Sequence, residues 1–292
     1  MAKAKRDLYQ EVTDIVIKAL EEGTQPWSRP WATGKGMSEA LRVCGTPYRG
    51  INAFLLGMTM NAHGYNSPHF MTYNAAKKLG GQVRKGEKGH LSVFFRMLEI
   101  DSKTNPGTKE NIPLLRHSIV FNAAQIDGLP DRFYVEPAEI NQEDRSAEVD
   151  EWLAKTGCTI KIGGDSAHLN LLTGLVHMPA FESFKDARSF YSTACHELTH
   201  WQGMQDGDIE NDKFGSANYA REELIAELGA AFLMGHLGLG SEPRADHAPY
   251  IASWLKVLKE DKRAIFRASS AAQKRVDALI ARVEPKQESE AA

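Results

Sequence analysis

The sequence predicts an α+β chain folded as two domains, and three observations carry that expectation. Segments of strand character and of helical periodicity occur in both halves. Charge is segregated. Over residues 1–130 Lys and Arg outnumber Asp and Glu by 17 to 11, and over the remainder they are outnumbered 27 to 18, which suggests two units with different partners. The balance reverses within residues 131–147, rich in Pro, Asp, Glu and Asn. That stretch reads as a linker between one domain over 1–130 and another over 148–284, with 285–292 as a disordered tail. A length of 292 residues with 42% hydrophobic content suffices for a core in each.

Leu8, Val12, Ile15, Val16, Ala19 and Leu20 recur at helical spacing and predict a helix over 7–22, stopped at Gly23. The irregular segment Pro26–Trp31 follows. Tyr48-Arg49-Gly50-Ile51-Asn52 then leads into an apolar run at 53–60. A short helix is expected over 73–79, ended by Gly80-Gly81, and Val83–Gly89 reads as a basic, Gly-punctuated loop. Leu91–Met97 and His117–Asn122 read as strands around a polar hairpin tip at 101–112. Beyond the linker come a helix near 146–156 and strands near 158–162 and 174–178. Long helices follow over about 183–204 and 220–237, then a helical, amphipathic stretch over 249–283.

The chemistry concentrates in His196-Glu197-Leu198-Thr199-His200. Histidines four apart share one helix face and can hold one ion. Glu197 between them can act as general base on a metal-bound water. Phe184, Ala187, Tyr191, Ala194 and Leu198 form an apolar stripe that would anchor this helix. A catalytic zinc wants three protein ligands and one open position. The next helix, Tyr219–Ala231, is mostly small or apolar and carries Glu223 and Glu227 on one face. Buried carboxylates need a cation or a hydrogen-bond partner. One would ligate the metal and the other would orient a ligand histidine, while Gly229, Ala230 and Ala231 allow close packing. Zinc is the expected ion; manganese or cobalt suits similar ligands. Nucleases more often use carboxylate-rich two-metal sites, which makes a nuclease the weaker reading.

This half resembles the gluzincin branch of the zincin metallopeptidases, with HExxH on one helix and a ligand glutamate on a following one. The resemblance implies a peptidase with Glu223 as third ligand and Glu227 as outer partner; the reverse assignment stays open. Leu175–Pro179 resembles that family's edge strand, although His177 reads equally as an ordinary strand residue. Tyr219, Tyr191 and His236 are all candidates for stabilising an oxyanion. His63, His69, His90, His117, His168 and His247 lack ligand spacing.

The N-terminal half interleaves Trp27, Trp31, Tyr48, Tyr65, Phe70 and Tyr73 with Arg29, Arg49, Lys77, Lys78, Arg84, Lys85 and Lys88. Single-stranded nucleic acid is bound this way, bases stacking on rings while cations neutralise phosphates. Trp27, Arg29, Trp31, Tyr48, Arg49, Tyr73, Arg84, Lys85 and Lys88 are the candidate DNA-binding residues. PWSRPW, PYRGINAFLL, GYNSPHFMTYNAAKKLGGQVRKGEKG and VFNAAQIDGLP together resemble the N-terminal domain of ArdC-type antirestriction proteins, and the C-terminal half fits the zincin-like domain joined to it in that family. The resemblance implies single-stranded DNA binding, a DNA-associated or restriction-related protein substrate, and protection of incoming conjugated DNA from restriction. The alternative is a DNA-binding protein whose zincin domain is only a scaffold. Gln205–Glu210 is acidic where the family carries a basic segment.

Cys44, Cys158 and Cys195 are far apart and odd in number, as expected of free thiols in a reducing compartment. No stretch approaches the ~20 apolar residues of a membrane helix. The start, MAKAKRDLYQ, lacks the apolar run of a secretory signal. The expectation is a cytoplasmic protein without a membrane partner.

Overall fold

Leu8, Val12, Val16 and Leu20 recur at helical spacing and are all buried in α1 (Leu8–Glu21). In the computed structural model, which describes residues 6–22, 39–101, 108–134, 145–209, 216–239 and 248–284, the chain divides into two units. One comprises Met1–Asp14 and Ala40–Glu136, the other Ile15–Glu39 and Pro137–Ala292. The second half of α1 thus groups with the later unit, where Glu21 pairs with Lys259 at 2.6 Å, rather than with a domain over 1–130.

In the first unit, α2 (Ile51–His63) is apolar on most of its surface and buries Phe54, Leu55, Leu56 and Met60. β1 (Phe70–Thr72) leads into α3 (Tyr73–Lys78), where the Thr72 side chain accepts the Ala75 N–H as an N-cap. β2 (Gln82–Val83) precedes the long strands β3 (His90–Asp101) and β4 (Lys109–Asn122), and β5 (Ile126–Asp127) pairs back with β2. The main sheet is antiparallel in the order β1-β4-β3, with Phe70 opposite Asn122 and His90 opposite Val120. β3 runs four residues past Met97 and β4 begins eight residues before His117, the limits their hydrophobic pattern indicates, so 109–112 is strand rather than tip. Cross-strand pairing sustains a ladder even where neither face is buried.

β3 is an edge strand, and Asn52 of α2 covers part of that edge. Its Nδ2 donates to Val93 O (2.6 Å) and its Oδ1 accepts Val93 N–H (2.8 Å). The side chain thus stands in for a neighbouring strand at one residue. Phe133, in the stretch expected to be linker, is 1% exposed and packs with Met71, Val83, Ile126 and Leu129. Residues 131–134 therefore belong to this unit's core.

In the second unit, Ser146 caps α4 (Ala147–Lys155). β6 (Ile160–Ile162), β7 (His168–Asn170) and β8 (Leu175–Met178) form a sheet in the order β6-β8-β7. β8 is therefore central, paired with β6 in parallel and β7 antiparallel, and the expected edge strand at 175–179 is corrected. Both of its hydrogen-bonding sides are taken, and β7, too short to show a periodicity, escaped the sequence pattern. α5 (Ala187–Gln205) starts at Asp186, whose carboxylate accepts the Ser189 N–H at 2.7 Å. Residues 181–183 form only a separate 3-10 turn, so the helix begins later than 183. α6 (Ala217–His236) is capped by Ser216. The expected stretch over 249–283 is two helices, α7 (Ala248–Glu260) and α8 (Ala264–Val283). The break falls where Asp261 accepts the Arg263 N–H (2.9 Å) in competition with the helical ladder. Trp152, Val176, Met178, Phe190, Tyr191, Leu198, Leu233, Val276 and Leu279 fill the core. Among the described residues no helix is long and apolar enough to cross a membrane.

Candidate metal centre

α5 is buried on nearly all sides, so its polar residues are enclosed: His196 is 3% and Glu197 5% exposed. α6 packs alongside because Gly229 faces Thr199. A Cβ at 229 would lie 2.4 Å from Thr199 Cγ2. That approach brings Glu223 to the two histidines. One ligand atom each from His196, His200 and Glu223 lie within 4.8 Å of one another, all three residues being buried. His196 Nε2 is 3.5 Å and His200 Nε2 3.6 Å from Glu223, and the two Nε2 atoms are 3.1 Å apart.

Each ring also turns its other nitrogen to a carboxylate. His196 Nδ1 lies 2.6 Å from Glu227 Oε1, and His200 Nδ1 2.9 Å from Glu222 Oε1. Carboxylates at Nδ1 favour the proton there. Both Nε2 lone pairs then point into one small space also occupied by the Glu223 carboxylate. Three converging acceptors call for a cation, so the donor set fits a divalent metal of the kind that takes imidazole and carboxylate.

Glu222 has a further partner. Arg275, on α8 and 2% exposed, grips it in two hydrogen bonds, from Nη1 at 2.5 Å and Nη2 at 2.9 Å. Burial pushes the Glu222 carboxyl up, but the His200 and Arg275 hydrogen bonds and charges outweigh it and bring the group down to about 2. Burial likewise raises Glu223, and the hydrogen bond to His196, the two imidazoles and the Tyr219 hydroxyl together bring it below the usual carboxylate range. Glu222 and Arg275 went unnoticed in the sequence. One signal was legible: Arg275 lies on the same stripe of α8 as Ala268, Ala272, Val276 and Leu279, a charge on a face that is otherwise buried and apolar or small.

Of the three oxyanion candidates, Tyr219 lies beside Glu223, with which its hydroxyl hydrogen-bonds. Its hydroxyl is 3.2 Å from that of Tyr250. Burial and this contact push it well above the ordinary phenol range. Tyr191 is instead committed to the start of α4, taking the Ser146 N–H (2.9 Å) and donating to Ser146 O and Asp150. His236 is 3.1 Å from Glu284 and packs by Trp152. His177 stacks on its cross-strand partner His168, ring centroids 4.8 Å apart.

Trp27, Arg29 and Trp31 lie outside the described residues. The other DNA-binding candidates differ in availability. Lys85 and Lys88 are exposed on the basic loop. Arg84 is a clamp, bound to Ala124 O (2.6 Å), Glu87 (2.8 Å) and Asp127 (3.2 Å). Gln125 secures the same loop by donating to Glu87 and Lys88 O. Tyr48 is half-buried with Arg42 over its ring at 5.0 Å. Arg49 is exposed, and Tyr73 is 45% exposed at the start of α3.

Residues 147–271 match the family described as zincin-like metallopeptidase, and residues 6–121 match the N-terminal domain of anti-restriction factor ArdC. The crystal structure of the antirestriction ArdC protein from the R388 plasmid, metal-free, superposes with a TM-score of 0.82 at 40% identity, covering 95% of this chain and 98% of that one. Its Mn(II)-bound form gives 0.79 at 39%, covering 97% and 100%. The uncharacterized protein y4eC of Sinorhizobium fredii is 36% identical over 296 residues, 97% of this chain and 95% of its own. A DNA primase TraC of Escherichia coli is 37% identical over 305 residues, which is 96% of this chain but 28% of the primase. The chain thus spans under a third of the length of that relative.

Proposed function

The chain belongs to the ArdC antirestriction family, and from that premise we propose that it binds single-stranded DNA through its first unit and hydrolyses a protein substrate at a zinc site in its second, protecting incoming conjugated DNA from restriction. His196, His200 and Glu223 would hold the ion. Glu227 and Glu222 would fix the tautomers of the two ligand histidines. Zinc suits this set best; Mn(II), bound by the R388 ArdC protein, and Co(II) suit similar ligands. When bound, such an ion polarises a scissile carbonyl and lowers the pKa of a coordinated water to about 7.

The remaining steps fall to side chains. Glu197 takes the proton of the attacking water and returns it to the departing amide nitrogen. Tyr219, held protonated by burial and hydrogen-bonded to the ligand carboxylate, would donate to the developing oxyanion. Arg275 keeps Glu222 ionised so that His200 presents Nε2 as acceptor. DNA binding would concentrate this activity on proteins sitting on the transferred strand.

The observation that carries the reading is the convergence of three buried acceptors, two of them backed by carboxylates. The test compares Glu197→Ala, Glu223→Ala and Glu227→Ala with the unaltered protein. Metal content should fall to near zero for Glu223→Ala, fall partly for Glu227→Ala and persist in Glu197→Ala, and the last should lose protection in a conjugation assay. Full protection by Glu197→Ala would leave DNA binding as the mechanism and the zincin domain as scaffold.

A further inference from the structure

The outer half of the β3–β4 hairpin leaves large apolar side chains exposed. Phe94 is 46%, Phe95 53% and Met97 58% exposed. The register sorts these residues onto two faces. Phe94 is directly opposite Arg116, and Arg96 is opposite Leu114. Alternate residues share a face, so Phe94, Arg96 and Arg116 form one group, with Leu98 and Ile112 beyond. The opposite face carries Phe95, Met97, Leu115 and Pro113 and no cation in this stretch. Arg96 and Arg116 are exposed, and among the described residues no carboxylate pairs with either. The one lysine of the hairpin among the described residues, Lys109, is tied to Glu99.

We propose that the Phe94–Arg96–Arg116 face is a binding platform for single-stranded DNA, a base stacking on Phe94 while the two guanidiniums hold the flanking phosphates. The proposal rests on the reading that the first unit binds single strands, and adds residues that its basic and aromatic motifs do not contain. Charge complementarity selects the occupant. An exposed ring flanked on one face by two unpaired guanidiniums matches a polyanion with stackable bases, whereas a second copy of the same face would bring four cations together. The strand leads from this group back to Lys88 and Lys85, eight residues or about 26 Å from Arg96 to Lys88. That length accommodates a short run of nucleotides. The acidic residues Glu99, Asp101 and Glu110 lie on the tip side, which directs the strand toward the base of the hairpin.

The experiment is fluorescence anisotropy of the full chain with a labelled 20-nucleotide oligo(dT) across a salt series. Phe94→Ala should weaken binding about tenfold, the loss of one stacked base. Arg96→Ala/Arg116→Ala should reduce the slope of log K against log salt by about 1.4, two phosphates' worth for a single strand. Arg96→Lys/Arg116→Lys should keep the slope, which separates lost charge from lost folding. Phe95→Ala, on the other face, should bind like the unaltered protein. The proposal is overturned if the unaltered chain binds the oligonucleotide and the Phe94 and double-arginine variants match it. It is also overturned if light scattering shows a dimer that Phe94→Ala dissolves. Absence of binding by the unaltered chain would instead remove the DNA-binding reading itself.

Discussion

Gly203 leaves room for the Arg275 guanidinium: a Cβ at 203 would stand 2.3 Å from Arg275 Cζ and 2.5 Å from Nη2. The guanidinium is the end of a flexible side chain, but it is buried and held by Glu222 in two hydrogen bonds. It can retreat only by breaking them. Gly203→Ala should therefore leave a buried carboxylate short of its partner, at a cost of about 3 kcal/mol. Thermal unfolding should show a lowered midpoint, and metal affinity should fall 10- to 100-fold, the usual effect of losing support behind a ligand histidine. A variant with unaltered affinity would separate Arg275 from the site.

Gly229 does the same for Thr199, but here the neighbour cannot yield. Thr199 is β-branched, lies mid-helix and donates to Cys195 O at 2.8 Å. Gly229→Ala should push α5 and α6 apart, cost about 1–3 kcal/mol as overpacking, and draw Glu223 away from the histidines. Adding Thr199→Ala should recover part of the stability, a coupling readable in a double-mutant cycle.

The stability of the metal-free protein should carry the imprint of Glu222. Its carboxyl is held at about 2 against an ordinary value of 4.5. A depressed carboxyl stabilises the fold above its unfolded-state value, and that contribution is lost as pH falls through the folded-state value. The window is thus roughly pH 4.5 to 2, and the loss is at most about 3 kcal/mol. Urea unfolding at steps across this window should show it, and Glu222→Gln should flatten that part of the profile while being less stable at neutral pH.

Asn52→Ala removes both hydrogen bonds from the Val93 backbone and leaves the edge of β3 open there. The expected cost is about 1–3 kcal/mol in the first unit, measured by chemical denaturation. The uncovered edge should also raise self-association at high concentration. Asn52→Asp keeps the acceptor and loses the donor, so it should fall between.

The sequence alone picked out His196, His200, Glu223 and Glu227, which the structure gathers as a candidate metal centre, and Glu197 beside them in sequence. His196, Glu197, His200, Glu223 and Glu227 are spaced by four or fewer along helices, and a helix turns short spacing into a shared face whatever the rest of the chain does. Most element positions were legible for the same reason, being set by neighbours in sequence. The tertiary structure decided the rest. Arg275 meets Glu222 across 53 residues, and only the packing of α6 against α8, with a glycine on α5 making space, brings them together. β8 became a central strand because β7, three residues long, pairs with it. The Phe94 and Arg116 side chains share a face only once the hairpin register is known. Such contacts depend on which surfaces bury against which, and that selection is made by the fold's total burial rather than by any local pattern.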